Sequence, residues 1–279
     1  MEQGFFHIGN TVERGVMWLT EHFSSVFDVI KDTGNNTIEG FENILLFCPF
    51  YVIIILLVAI ALYKGGKSIA VLTGLGLLFI YGMGFWTETM QTLAMVLIST
   101  LMALVIAIPL GILSAKKPLL EKIIRPMLDL MQTMPAFVYL IPAVLFFSIG
   151  KLPGAFATII FAMPPAVRLT SLGIKGVSAE VVEAARSFGA TPMQILLKVE
   201  LPLAKSSLLA GVNQTIMMSL SMVVIAGMIA AGGLGEKVLE GINNLDIALG
   251  FESGLAVVIL AIILDRITQA FASKQKNKH

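Results

Sequence analysis

Charged residues are scarce in this sequence. Only 13% of its 279 residues are Asp, Glu, Lys or Arg, while 57% are hydrophobic and the mean hydropathy is +0.89. Soluble domains carry about 25% charged residues, so this chain lacks the polar side chains needed to cover a water-facing surface. The composition excludes an ordinary soluble protein and predicts an integral membrane protein.

Cysteine is almost absent, because Cys48 is the only one. A single cysteine forms neither an internal disulfide nor a metal site of several thiolates, so no metal site is expected. Basic residues are also rare at the start, where the first 43 residues hold two bases and seven acids. A cleavable signal peptide begins with basic residues, so none is expected here.

Motifs of enzymes are missing as well. The zinc-protease pattern HExxH and the hydrolase pattern GxSxG do not occur. The run Gly65-Gly66-Lys67-Ser68 resembles the end of a phosphate-binding loop, but Ala61 occupies the position of its first glycine. We therefore do not expect this chain to hydrolyse ATP itself.

Long uncharged runs are what the sequence has in abundance. A hydrocarbon core about 30 Å thick needs about 20 apolar residues in a helix. Seven runs approach this length, the fifth being short and interrupted by three prolines; they cover residues 44–63, 68–86, 89–115, 127–150, 152–167, 207–231 and 248–267. The sequence predicts about seven spans.

The distribution of basic residues orients these spans. Lys and Arg collect on the cytoplasmic side of membrane proteins. With the C-terminus in the cytoplasm, the inner segments 64–67, 116–125, 168–205 and the tail from Arg266 contain 15 of the 19 Lys and Arg residues. Seven spans then place the N-terminus outside the cell.

The N-terminal region 1–43 has a different pattern. Apolar residues recur there at alternating spacings of four and three, from Val12 to Ile30, which predicts an amphipathic helix. Interspersed acids exclude a span, so the helix either lies on the outer lipid surface or packs against the membrane core of the protein. Gly34 with the two following asparagines is expected to end it.

The connection 168–206 is too polar to span and is patterned like two short helices. Ser178 is expected to cap the first helix and Gly189 to end it. Thr191 and Pro192 then begin a second helix, which closes near Pro202. The sequence predicts a cytoplasmic helix–turn–helix with small side chains at its surface.

This connection resembles the EAA loop of ABC-importer permeases. Glu183-Ala184-Ala185, Gly189 and Leu201-Pro202 have the spacing of that motif, with Val199 where isoleucine is more usual. In that family the loop forms a coupling helix that docks on an ATPase subunit. The resemblance therefore implies an ATPase-coupling role for six residues: Glu183, Ala184, Ala185, Gly189, Leu201 and Pro202. An ordinary amphipathic loop helix is the alternative.

Three flanking stretches, 86–112, 131–150 and 211–235, look like permeases of the glycine betaine/proline betaine importers. The likeness covers nearly all of residues 86–265. It implies an all-α, multi-pass membrane protein with the type I ABC-importer permease fold. The expected domains are an outward-facing amphipathic region 1–43, a permease domain 44–267 containing the coupling loop 168–206, and a cytoplasmic tail 268–279.

The resemblance also implies partners. They are a second copy of the chain, two ATPase subunits that bind ATP and Mg, and an extracellular substrate-binding protein. That protein is expected to be separate, because the chain ends about a dozen residues after its last span. Membrane lipid is expected as a partner, nucleic acid is not, and no cofactor is expected on this subunit.

Polar residues in two spans are candidates for a translocation path. Polar side chains in membranes usually face protein or water, and aromatic faces attract quaternary ammonium groups. The candidates share one face of the sixth span or surround Pro135 in the fourth: Asn213, Gln214, Met217 and Ser221, and Gln132, Met134 and Phe137. Small polar residues also join helices to one another, which is the alternative role.

Together these features predict a permease of the bacterial plasma membrane. Its expected cargo is glycine betaine or a related quaternary-ammonium osmoprotectant. The alternatives are another small solute, such as choline, carnitine or proline, and a secondary transporter. Secondary transporters often use carboxylates inside the membrane, and the span centres here lack acids.

Overall fold

The computed structural model describes residues 8–273, and every regular element within this range is helical. The first seven residues and the tail beyond Ser273 lie outside the described residues. The fourteen α-helices are, in order, α1 Ile8–His22, α2 Ser24–Phe47, α3 Phe50–Gly65, α4 Lys67–Gly82, α5 Trp86–Lys116, α6 Pro118–Thr133, α7 Ala136–Phe147, α8 Lys151–Lys175, α9 Ala179–Ser187, α10 Pro192–Ile195, α11 Leu201–Leu203, α12 Lys205–Ala226, α13 Gly233–Asn243 and α14 Ile247–Ser273. A π-helical turn, Leu196–Glu200, joins α10 to α11, and a 3-10 turn, Gly227–Ile229, follows α12.

Four helical stretches are long and apolar enough to cross a membrane: Trp86–Lys116, Lys151–Lys175, Lys205–Ile229 and Ile247–Phe271. Two helix pairs, α2 with α3 and α6 with α7, each bend by 100° and pass the same test together. The described residues therefore provide four to six candidate spans, and α4 is a shorter apolar helix beside them. The predicted runs 89–115 and 248–267 lie within two of the long stretches, and the run 207–231 overlaps a third, which ends at Ile229.

The fifth predicted run was placed too short. It belongs to α8, which continues to Lys175 although Pro164 and Pro165 lie inside it. Proline removes one hydrogen bond from a helix, but α8 packs against both α5 and α12 along its length. These contacts outweigh the missing bond, so the helix continues through Arg168 and ends at Lys175.

The runs 44–63 and 127–150 were wrong as single helices. Each is broken at a proline, Pro49 and Pro135, and the preceding residues Cys48 and Met134 have extended backbones. A residue before proline is pushed out of the helical region. The chain therefore turns by 100° at both places.

The predicted helix stop at Gly34 was also wrong. The first helix ends before Phe23, and α2 then runs through Gly34 to Phe47. Tertiary contacts carry the helix onward, because Ile38 and Glu42 on its C-terminal half are buried. The predicted boundary after residue 43 thus falls inside α2, whose C-terminal half packs against α5 and α8.

Close packing of α8 against α5 and α12 forms the centre of the fold. Gly111 on α5 and Gly211 on α12 face α8 so closely that a Cβ would lie 2.6 Å from the Thr170 side chain and 3.2 Å from the Ala166 backbone, respectively. Small residues allow such approaches between membrane helices. The result is a closely packed centre, and the loop of residues 176–204 follows the C-terminal end of α8.

Candidate functional site

The loop between α8 and α12 contains the predicted helix–turn–helix. Its first helix, α9, begins after Ser178 as expected, although the Ser178 side chain makes no capping hydrogen bond. Gly189 ends the helix with a φ of +78°, a conformation that glycine adopts without strain. The N–H of Gly189 donates to the Arg186 carbonyl at 2.9 Å, and the N–H of Ala190 donates to that of Ala185 at 3.1 Å. Carbonyls at the end of α9 are thereby satisfied.

The second helix begins with a complete capping box. The Thr191 N–H donates to the Gln194 side-chain oxygen at 2.8 Å, and the Gln194 N–H donates to the Thr191 hydroxyl at 3.3 Å. Pro192 occupies the first turn, where its missing N–H costs nothing. The predicted cap and proline are confirmed, and these local bonds fix the angle between α9 and α10.

Residues Leu196–Glu200 form a π-helical turn, which the sequence analysis missed. The N–H of Leu201 donates to the carbonyl of Leu196, five residues earlier. Pro202 follows and has no N–H to donate, so a wider turn accommodates it with few broken bonds. The Leu201-Pro202 pair of the motif therefore marks the point where the loop changes its helical pitch.

Several large apolar side chains of the loop are exposed, although the segment as a whole is polar. Glu183 and Ala184 are exposed and Ala185 is partly buried. Phe188 is 92% exposed, and Met193 and Leu197 are more than half exposed. Exposed apolar clusters mark interaction sites. Phe188 was missed as a functional residue, although an aromatic directly before the turn glycine of a polar loop was an available signal.

The half of the loop that follows the Gly189 turn attaches the loop to the membrane helices. Ile195, Glu200 and Ala204 are buried. Ala204 lies against α8, since a Cβ on Gly173 would lie 3.1 Å from the Cβ of Ala204. The Glu200 carboxylate forms an ion pair with Lys116 at the end of α5. A gap of about 280 Å³ separates α9 from the ends of α5 and α8.

Two further ion pairs join α6 to α8 near this loop. Arg168 lies 2.5 Å from Asp129, and Lys175 lies 2.5 Å from Glu121. The hydrogen bond from Lys175 holds the pKa of the Glu121 carboxyl below its ordinary value. Both carboxylates thus lie beside cations in the C-terminal part of α8.

The path candidates on α12 divide into two groups. Gln214 and Ser221 are exposed and Met217 is partly buried, so these three follow one open stripe. Asn213 instead donates to Asp265 at 3.1 Å and accepts a hydrogen bond from Thr268. Its side chain is therefore bonded to α14, a contact that the helical wheel alone did not show.

The candidates of the fourth run surround the break between α6 and α7. Gln132 and Met134 are partly buried, whereas Phe137 is half exposed. Tyr139, which belongs to the same segment, donates its hydroxyl to the Met131 carbonyl at 2.7 Å. This bond satisfies a carbonyl at the end of α6 and holds the bend in place.

A polar network at the other end of the helices was not predicted. Glu42 of α2 is only 6% exposed, lies 2.7 Å from Lys151 and accepts from Gln91 at 3.1 Å. Gln91 in turn accepts from the N–H of Gly233 at 3.0 Å. The network joins α2, α5, α8 and α13, and spacing along the chain gives no signal for it.

Comparison with known proteins identifies the family of this chain. Residues 107–277 match the model of the binding-protein-dependent transport system inner membrane component. This match covers the coupling loop together with the helices on both sides of it. The chain belongs to this family of ABC-importer permeases.

Similar proteins cover almost the whole permease. The chain is 50% identical to the glycine betaine/carnitine permease protein GbuB of Listeria monocytogenes over 97% of both chains. It is 50% identical to the glycine betaine/proline betaine permease protein ProW of Escherichia coli, over 96% of this chain and 75% of that protein. It is 45% identical to the glycine betaine permease protein OpuAB of Bacillus subtilis, over 97% of this chain and 96% of that protein.

A solved structure shares the fold. The inward-facing MetNI methionine ABC transporter matches with a TM-score of 0.59 and 26% identity, over 64% of this chain and 92% of that one. The predicted all-α, multi-pass permease fold is thereby confirmed. In this permease the predicted coupling residues occupy distinct places: Glu183, Ala184 and Ala185 on α9, Gly189 at the turn, and Leu201 and Pro202 beside the π-helical turn.

Proposed function

We propose that this chain is the membrane-spanning subunit of an ATP-driven importer of glycine betaine or a related quaternary-ammonium osmoprotectant. The support for the cargo is that ProW, GbuB and OpuAB, which are 45–50% identical to it, are named as glycine betaine permeases. These relatives cover nearly all of the chain. Choline, carnitine and proline are the alternative cargoes.

The geometry of the loop carries the ATP-driven part of this proposal. Glu183 and Phe188 are exposed on a compact helix pair, while Glu200 is buried and paired with Lys116 of α5 and Ala204 lies against α8. One half of the loop is thus available to a cytoplasmic partner and the other half is attached to the spans. Such a segment transmits movement of an ATPase subunit to the membrane domain.

The complete importer that we propose contains two copies of this permease, two ATPase subunits and a separate extracellular binding protein. The ATPase subunits bind ATP and Mg, and this chain holds no cofactor. It lies in the bacterial plasma membrane with the N-terminus outside and the C-terminus in the cytoplasm. The distribution of Lys and Arg supports this orientation.

The proposed path follows the open stripe of α12 and the break between α6 and α7. Gln214, Met217 and Ser221 supply the stripe, with the bonded Asn213 at its border. The break contains the remaining candidates for the path, Gln132, Met134 and Phe137. Amide donors suit the carboxylate of a betaine, and an aromatic face attracts its quaternary ammonium group.

Uptake by the reconstituted complex tests the function. The permease, its ATPase and its binding protein are placed in vesicles, and labelled glycine betaine is measured with and without ATP. We expect ATP-dependent uptake that excess unlabelled betaine abolishes. ATP-dependent uptake of choline, carnitine or proline without betaine would correct the cargo, and uptake without the ATPase would refute the class.

Variants of the loop test coupling. Gly189→Ala places a Cβ at a φ of +78°, which costs about 1–2 kcal/mol. This cost lowers the population of the native loop conformation, relative to other loop conformations, by about five- to thirtyfold. We expect less uptake per ATP hydrolysed for Gly189→Ala and for Glu183→Ala, with normal membrane insertion. Gly40→Ala is the control, because Gly40 is helical with open space around it. Full uptake by both loop variants contradicts the coupling role.

A further inference from the structure

Glu200 is a buried carboxylate outside the recognised motif residues. It is 5% exposed, and its partner Lys116 lies 84 residues earlier at the end of α5. Buried acids are rare in proteins unless they are paired. Of the ion pairs between described residues, this one alone joins the loop of residues 176–204 to another element.

The π-helical turn explains why Glu200 points inward. In an α-helix, residues five positions apart differ by about 140° around the axis, so Ile195 and Glu200 would face different directions. The turn Leu196–Glu200 closes with a bond across five residues, which brings such residues into line. Both side chains are buried, as expected for residues that the turn brings into line.

The first helix of the loop, α9, packs only loosely against the membrane helices. Every residue of α9 is exposed or only partly buried, and the gap beneath it separates α9 from the ends of α5 and α8. Lys116, Glu183 and Glu200 all line that gap. The attachment of the loop to α5 therefore passes through the Glu200 carboxylate and not through packing of α9.

At its other end, α5 is attached to the far side of the protein. Gln91 on this helix binds Glu42 of α2 and the backbone of Gly233 at the start of α13. Gln91 and Lys116 are 25 residues apart along one helix, or about 38 Å at 1.5 Å per residue. One continuous helix thus connects Lys116 to the contacts of Gln91.

We propose that Glu200 and Lys116 are positioning residues for transport, forming the link through which the coupling loop moves α5. This proposal rests on the proposed function as an ATP-driven permease. The link combines a carboxylate fixed by the π-helical turn with a cation on a partly exposed side chain, Lys116 being 39% exposed. Loss of the charge pair should leave the ATPase docked on the loop and separate its movement from that of α5.

The test measures solute transported per ATP hydrolysed by the full complex in vesicles. Labelled glycine betaine is the probe, and the variants are Lys116→Gln and Glu200→Gln. For both we expect the ratio to fall by at least about fivefold, the lower end of typical coupling between sites. The complex should still assemble, and Lys116→Arg, which retains the pair, should restore the ratio.

Lys117→Gln is the matched control. It removes the same charge one residue away from a side chain that forms no ion pair within the described residues. Its ratio should equal that of the unaltered protein. An equal loss in this variant would overturn the link, because the loss would then follow from removing any positive charge at that surface and not from breaking the pair with Glu200.

The outcomes separate the two proposals. An unchanged ratio in Lys116→Gln overturns the positioning role, and this variant decides the question even if Glu200→Gln fails to fold. A thermal melt of each complex identifies such a folding defect. If the unaltered complex does not assemble or shows no ATP-dependent uptake, the proposed function fails instead.

Discussion

Single glycines determine how closely the chain approaches itself at the turn that follows α12. A Cβ on Gly227 would lie 2.3 Å from the carbonyl carbon of Gly235, and one on Gly235 would lie 2.3 Å from the Val224 oxygen. These neighbours are backbone atoms and cannot rotate away. The same turn contains Gly233, whose N–H binds Gln91, so the packing of this turn also positions the polar network.

Gly227→Ala should therefore destabilise the protein. Overpacking a close contact costs about 1–3 kcal/mol, and the backbone contact here leaves no side chain to yield. Gly254→Ala is the control, since Gly254 lies in α14 with open space around it, and alanine is favoured over glycine in a helix by about 0.5–1 kcal/mol. Thermal unfolding in detergent should show a lower midpoint for the first variant only, and equal midpoints would contradict the contact.

Proline bends some helices of this protein and leaves others intact. Pro49 and Pro135 lie at bends of 100°, whereas Pro109 and Pro164 lie inside the intact helices α5 and α8. Pro164 is buried where α8 packs against its neighbours, whereas Pro109 is exposed within α5, so burial alone does not decide where a helix bends. A proline costs its helix one hydrogen bond, and the bends occur where the residue before the proline has an extended backbone.

The helices of the coupling loop depend on their caps to different extents. Thr191→Ala removes a capping box that holds α10, and loss of such a cap costs about 1 kcal/mol. We expect amide hydrogen exchange at residues 193–196 to accelerate about fivefold. Ser178→Ala is the control, because the Ser178 side chain makes no capping bond, and equal acceleration near α9 would contradict this difference.

The whole molecule separates its polar contacts between two surfaces. The network of Glu42, Gln91 and Lys151 lies at one end of the long helices. The pairs of Glu121 and Glu200 with their lysines lie at the other. An apolar middle between two polar ends is the arrangement that a bilayer requires of a multi-pass protein.

Cysteine labelling tests the orientation of these surfaces. In a Cys48→Ser background, which removes the only natural thiol, single cysteines replace the exposed residues Ser187 of the loop and Asn243 of α13. A membrane-impermeant maleimide should label the Asn243→Cys variant in intact cells and the Ser187→Cys variant only after lysis. Labelling of both in intact cells, or the reverse pattern, would overturn the proposed orientation.

The sequence by itself determined the features that depend on composition or on neighbours along the chain. Low charge and long apolar runs required a membrane protein, since water cannot solvate such a surface. Gly189, Thr191 and Pro192 predicted the turn of the loop, because backbone freedom and caps act within a few residues.

Only the tertiary structure decided which prolines bend a helix, where α2 ends, and which side chains meet across distant segments. Asn213 binds Asp265, and Glu200 pairs with Lys116 across 84 residues. These contacts depend on how separate helices pack, and local spacing carries no record of the partner that will face a given side chain. For the same reason Gly34 did not end its helix: burial of Ile38 and Glu42 beyond it outweighed the local tendency of glycine to stop one.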